Sequence, residues 1–209
     1  MSTDGHWAPA APAAAARTLH RPLGWLYLIG GAIGLAASTA LMLEKLAALA
    51  DPAYVPFCSV NAVLTCGSVM DSPQASVFGF PNPLIGVAAF SVVVTAGVAL
   101  LNGFAAPRWF WLGLQLGTTL GVVFVHWLIS QTLYDIGALC LYCMVVWAVT
   151  IPIFLSTTLH NLDRGYLPLP GGRVLARVLI RIRFVIVGVW YLAVAALVLQ
   201  RFWNSLGFV

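Results

Sequence analysis

The stretch Ile136–Leu162, IGALCLYCMVVWAVTIPIFLSTTLHNL, contains no Asp, Glu, Lys or Arg and opens on the motif CLYC. A helix rises about 1.5 Å per residue, so ~20 apolar residues cross a hydrocarbon core about 30 Å thick. Backbone groups in lipid must find partners within their own segment, which makes a helix the form this stretch takes. Four other windows share its character: Leu23–Leu43, Ser72–Pro107, Trp109–Tyr134 and Phe184–Gln200 are free of the same four residue types. The last is short, but Arg183 and Arg201 at its ends can snorkel outward. Transmembrane spans are therefore predicted near 23–46, 83–103, 109–133, 139–160 and 182–203. With 61% hydrophobic and 8% charged residues, the 209-residue chain falls outside the range of soluble domains.

Residues 1–21 are rich in Ala and Pro, and read as a disordered tail. Orientation follows the bias of Lys and Arg in short loops. With the N-terminus cytoplasmic, Arg17, Arg21, Arg108, Arg164, Arg173, Arg177, Arg181 and Arg183 lie inside, and only Lys45 and Arg201 lie outside. That arrangement puts the 51–82 loop and the Asp135–Leu139 turn outside the cytoplasm. The basic segment 161–181 reads as an anchor against anionic lipid, not as a nucleic-acid site.

The four cysteines form two unlike pairs, Cys58 and Cys66 in CSVNAVLTC and Cys140 and Cys143 in CLYC, both on the extracytoplasmic side. Packing cysteines, structural disulfides, a zinc site and redox use are the alternatives. None of the four sits in mid-span, no second CxxC is present, and the outer loops carry no His, which favours redox use. Cys140 falls in the first turn of the fourth span, where a helix N-terminus favours the thiolate. Cys143 lies one turn deeper on the same face. One sulfur is thus expected at the aqueous edge and the other within the bundle. The 51–82 loop is too long for a simple connection, and the spacing of Val60, Val63 and Leu64 predicts a short amphipathic helix across the bundle mouth.

CSVNAVLTCGSVMDSPQASVFGFPNPLIG followed by LYDIGALCLYC closely resembles the vitamin K epoxide reductase family in its bacterial form, over about residues 22–160. The resemblance implies an all-α membrane protein, a four-helix bundle around a quinone site with a fifth peripheral transmembrane helix. It implies a thiol:quinone oxidoreductase of the inner cell membrane that supports disulfide formation and also reduces vitamin K quinone or epoxide. Electrons would pass from a separate extracytoplasmic thioredoxin-like (DsbA-like) protein to Cys58 and Cys66, then Cys140 and Cys143, then menaquinone or ubiquinone. Asn82 matches a position that hydrogen-bonds a quinone carbonyl, though it could instead cap the second span. Trp147 matches an aromatic position, with stacking retained but a tyrosine hydroxyl lost. Ser72 matches a Ser/Thr beside the cysteines. His126, about 13 Å deep in the third span, has no family role, and intramembrane ionisable groups are functional suspects. Glu44 and Lys45 read as an interfacial pair, Trp25, Trp109, Trp111 and Trp203 as interfacial belt residues, and Gly113, Gly117 and Gly121 as a stripe that allows close helix packing. The rival reading is a scaffold or transporter braced by loop disulfides.

Overall fold

A computed structural model of the chain describes residues 12–203 apart from 52 and 62. Helix α1 runs Pro12–Ala50, α3 Pro83–Leu101, α4 Arg108–Gln131, α5 Leu141–Asp163 and α6 Gly172–Phe202. A five-residue helix α2, Cys66–Met70, and a 3-10 turn, Pro73–Ser76, lie in the long loop between α1 and α3. Among the described residues five helices are long and apolar enough to cross a membrane, and the chain is an all-α membrane protein. The tail expected over 1–21 is helical from Pro12 onward, because alanine, the strongest helix former, runs straight into the first span. Residues 1–11 lie outside the described part.

The bundle is organised around α1 and α5. Helix α3 packs along α1, α5 packs against α1 and α4, and α6 rests on α5. Close approach of α1 and α3 is made possible by glycine. A Cβ at Gly97 would sit 2.6 Å from the Leu28 nitrogen, and one at Gly34 would sit 2.5 Å from the Phe90 ring. In lipid, where apolar burial gives helices little reason to associate, such small-residue contacts and interhelical hydrogen bonds hold a bundle together. The core joins Tyr27, Phe90, Trp111 and Ile153. Tyr27 Oη donates to Thr157 Oγ1 at 2.5 Å, and the Asn161 amide donates to the Trp111 carbonyl at 3.1 Å and to Gln115 Oε1 at 3.0 Å.

Two sequence expectations change here. Trp25, Trp109 and Trp203 are exposed, as interfacial residues should be, but Trp111 is 1% exposed and belongs to the core. The stripe Gly113, Gly117 and Gly121 meets a neighbouring helix only at Gly121, whose Cβ would sit 3.8 Å from Thr150 Cγ2. A Cβ added at Gly113 or Gly117 would meet nothing within 4 Å. Spacing alone marks a smooth helix face and does not say what lies against it.

Candidate redox site

Cys58 and Cys66 are bonded to each other, with Cα atoms 5.6 Å apart, whereas Cys140 and Cys143 are free thiols. The loop does not become helical at Val60, as its spacing had predicted. It turns at Asn61, whose side-chain oxygen accepts from the backbone N–H groups of Val63 at 2.9 Å and Leu64 at 2.7 Å. Leu64 then pairs in parallel with Leu139 in an isolated β-bridge. The Thr65 N–H donates to the Leu139 carbonyl at 2.9 Å, and the Leu139 N–H donates to the Val63 carbonyl at 2.7 Å. Backbone satisfaction outweighs helical spacing at this point, because the loop passes beside another extended segment.

That extended segment exists because α4 ends in a π-helical turn, Thr132–Ile136, closed by Gly137 in the left-handed region at φ 67°. Glycine enters that region without a Cβ penalty, so the chain reverses and reaches Leu139 extended. A cysteine follows the bridge on either segment, Cys66 two residues beyond Leu64 and Cys140 one residue beyond Leu139. Their sulfurs, Cys66 Sγ and Cys140 Sγ, lie 3.3 Å apart. Two backbone hydrogen bonds thereby set the register of the two thiol pairs.

Cys140 is the N-cap of α5, and its sulfur accepts from the Cys143 N–H at 3.4 Å. The thiol of Cys143 hydrogen-bonds it and holds its pKa below the usual cysteine value, against the opposing effect of burial. Its position corrects one expectation. Cys140 does not face the aqueous edge but is 1% exposed, roofed by the loop, as are Cys58 at 3% and Cys66 at 0%. The long loop folds down over the helix start, which a span-by-span reading places in water.

Cys143 faces a cavity of about 510 Å³ bounded by α1, α3, α4, α5 and the loop. Its size suits a small-molecule site. Asn82, Trp147 and Ser72 all line it with Cys143. Asn82 does not cap α3, whose N-terminus it occupies in helical conformation without a side-chain cap bond. Its amide nitrogen instead donates to the Gln74 carbonyl at 2.7 Å, and its amide oxygen accepts from the Val77 N–H at 3.3 Å. Ser72 Oγ donates to the Val69 carbonyl at 2.7 Å. Trp147 is 3% exposed, and its indole Nε1 has no hydrogen-bond acceptor in the protein. An orphaned buried N–H on an otherwise apolar wall fits a ligand that brings a carbonyl oxygen. The same wall extends along α4 from Trp109 to Thr132, with Gly113, Gly117 and Gly121 leaving room beside it. That length, about 35 Å at 1.5 Å per residue, suits a polar head near Cys143 carrying an apolar tail.

The vitamin K epoxide reductase family model matches residues 25–158. The chain belongs to the vitamin K epoxide reductase family. No curated protein matches the chain. Family membership makes this an oxidoreductase of membrane disulfide and quinone chemistry, and the matched residues hold both cysteine pairs, the cavity and α1 through most of α5.

Other polar residues of this family member take up positions that the sequence had left open. His126 is absent from the cavity wall. Its Nδ1 donates to the Val122 carbonyl at 2.8 Å, and its Nε2 accepts from Trp190 Nε1 of α6 at 2.9 Å. It serves as a docking point for the fifth helix, together with Tyr191 Oη on the Ala148 carbonyl at 2.6 Å and Arg201 on the Leu133 carbonyl at 2.7 Å. Glu44 and Lys45, read as an interfacial pair, point to different parts of the loop. Glu44 Oε2 accepts from Tyr54 Oη at 2.9 Å and from the Phe57 N–H at 3.2 Å. Lys45 Nζ donates to the Met70 carbonyl at 2.8 Å and to Asp71 Oδ1 at 3.3 Å. Gln74, which sequence reasoning passed over, hydrogen-bonds Asp135 in the turn before CLYC. Nothing in the spacing of these residues signals such contacts, since each spans a loop whose path is set elsewhere.

Proposed function

We propose that the protein is a thiol:quinone oxidoreductase that reoxidises a thioredoxin-like (DsbA-like) dithiol protein and hands the electrons to a membrane quinone. The observation that carries this reading is the 3.3 Å approach of Cys66 Sγ to Cys140 Sγ, with Cys143 next in line on the cavity wall. Thiol–disulfide exchange requires a thiolate to attack a disulfide sulfur through a mixed disulfide, so the two pairs must meet.

A thiolate of the soluble partner attacks Cys58 Sγ, breaking the Cys58–Cys66 bond and forming a mixed disulfide. The partner's second thiolate then attacks its own mixed-disulfide sulfur and leaves as the oxidised partner, so that Cys58 and Cys66 are reduced. Cys66 attacks Cys140 Sγ of an inner disulfide, releasing Cys143, and Cys58 closes on Cys66 to release Cys140. Two electrons have then moved from the loop to the inner pair. The structure holds that arrangement, with the loop disulfide closed and the inner thiols free. The quinone accepts two electrons and two protons. Cys143 lies at its cavity, and Cys140, whose pKa the Cys143 hydrogen bond lowers, closes the Cys140–Cys143 disulfide as the two electrons pass to the quinone.

Within this reading, residues 22–160 form the catalytic bundle, and α6, whose first turns carry the basic residues Arg173, Arg177 and Arg181, is the fifth, peripheral helix. The N-terminus is cytoplasmic and both pairs are extracytoplasmic, a reading supported by the Arg-rich opposite ends. The head of menaquinone or ubiquinone sits among Cys143, Asn82 and Trp147, with Ser72 bracing the loop beside them, and vitamin K quinone or epoxide is accepted as a substrate. The decisive test is Cys143→Ala in purified protein. Quinone reduction by a dithiol is expected to stop; unchanged turnover would sink the assignment.

A further inference from the structure

The bridge to Leu139 and the hydrogen bond of Gln74 to Asp135 attach the redox loop to the bundle. Two adjacent residues at the end of α1 attach it as well. Glu44 holds the arm that enters the loop disulfide, through the Tyr54 hydroxyl and the N–H of Phe57, the residue before Cys58. Lys45 holds the arm that leaves it, through the carbonyl of Met70, the last residue of the short helix that begins at Cys66, and through Asp71. Consecutive residues on a helix point about 100° apart, so a single helical step reaches both arms. Helix α1 is itself fixed by its packing on α3 and α5, and so makes a firm anchor.

The exposure of the sulfurs gives these arms a consequence. Cys58 is 3% exposed and Cys66 0%, so while the loop is seated no soluble protein can reach the sulfur that it must attack. Exchange with a partner and exchange with Cys140 therefore need different positions of the same loop. A contact present only in the seated position shifts the balance between the two by its own free energy. Glu44 and Lys45 contact the loop but none of the four sulfurs.

We propose that Glu44 and Lys45 are positioning residues, a two-armed clamp that seats the Cys58–Cys66 disulfide against Cys140 and whose release turns it outward to the dithiol partner. This proposal rests on the exchange between the pairs argued above. Loosening either arm is expected to move the two half-reactions in opposite directions. Reduction of the loop disulfide from solution becomes faster, and transfer to the inner pair becomes slower.

The test uses the full chain in lipid nanodiscs, comparing the unsubstituted protein with Glu44→Ala, Lys45→Met and Lys45→Arg. The probe for the outer step is tris(2-carboxyethyl)phosphine, a charged reductant that does not enter lipid, with the freed Cys58 counted by maleimide labelling. Loss of the Lys45 arm is expected to accelerate that step about fivefold, the factor that follows from ~1 kcal/mol of a part-buried charge-assisted contact, and loss of the exposed Glu44 arm to accelerate it less. Dithiothreitol-driven quinone turnover is expected to fall in the same variants, while Lys45→Arg, which keeps the donor to Met70, restores both rates. Labelling of Cys143 by the same hydrophilic maleimide separates clamp release from unfolding, and it is expected to stay as slow as in the unsubstituted protein. Unchanged reduction rates, two rates that fall together, or Cys143 labelling that rises with Cys58 labelling would each overturn the clamp. If the unsubstituted protein reduces no quinone at all, it is the thiol:quinone reading that fails instead.

Discussion

Trp147 offers the sharpest measurement on the cavity. Trp147→Phe keeps an aromatic ring on the wall but removes the indole N–H. In the protein alone that N–H is buried on a side chain 3% exposed and lacks an acceptor. Leaving such a donor unmade costs about 1–3 kcal/mol. A quinone carbonyl that accepts the hydrogen recovers this amount on binding, so deleting the donor should weaken quinone binding by about 5- to 150-fold. The smaller ring also gives up some apolar contact on the cavity wall, which Trp147→Tyr gives up as well, so the difference between these two variants isolates the donor. KM equals affinity only when chemistry is slow, so KM for quinone should be read beside the rise in unfolding temperature that quinone produces. Trp147→Phe is expected to raise KM and to shrink that rise. Trp147→Tyr, whose hydroxyl returns a donor, is expected to recover part of both. If Trp147→Phe leaves KM and the quinone-dependent stabilisation as they were, the indole N–H is not a ligand contact, and the ring is only wall.

Two further outcomes follow from the same geometry. Gly117→Leu should place its side chain in the open space along α4 without a clash, so the fold is kept and the groove is filled. KM for a long-tailed quinone is expected to rise at least about tenfold, the effect of 1.4 kcal/mol, while a tail-less quinone is reduced as before; equal effects on both would refute a tail along this face. The hydrogen bond from Cys143 lowers the pKa of the Cys140 thiol from its ordinary value, so its thiolate persists to lower pH than it would without that contact. Thiolate absorbance against pH should show that low titration, and Cys143→Ala should move it upward; no movement would show that the Cys143 contact is not its cause.

Much of the fold was legible because the bilayer leaves few choices. Charge-free windows gave the positions of α3, α4 and α5 to within a few residues, since a hydrocarbon core dictates both helix and length. The same reasoning failed wherever a loop decides the structure. Val60, Val63 and Leu64 carry helical spacing, yet the backbone there pairs with Leu139, a residue 75 positions along from Leu64 that no local pattern can announce. The glycines failed for a related reason. A four-residue repeat says that a helix face is smooth, and both a packing seam and a groove wall are smooth. Gly97 and Gly34 have a neighbouring helix against them, whereas Gly117 has open space, and only the three-dimensional arrangement separates them. Asn82, Trp147 and Ser72 reached the cavity wall through the family resemblance, while Glu44 and Lys45 carried no motif at all.

The burial of the sulfurs bears on why the chain needs two pairs. A single dithiol at the aqueous surface could meet a soluble partner but not a quinone in lipid, and one within the bundle could meet the quinone but not the partner. Here the inner pair begins at the N-cap of α5, where Cys140 Sγ touches Cys66 and Cys143 reaches the cavity one turn deeper. On the proposed exchange, one helical turn, about 5.4 Å, separates the sulfur that would receive electrons from the one that would deliver them. On the same exchange the outer pair would cover the remaining distance by moving, because Cys58 is buried when seated. A rigid loop would strand the electrons on one side. Val63 and Met70 bury apolar surface where the loop meets the bundle, while its edges are held by hydrogen bonds and one ion pair, contacts that can be broken and remade in each cycle.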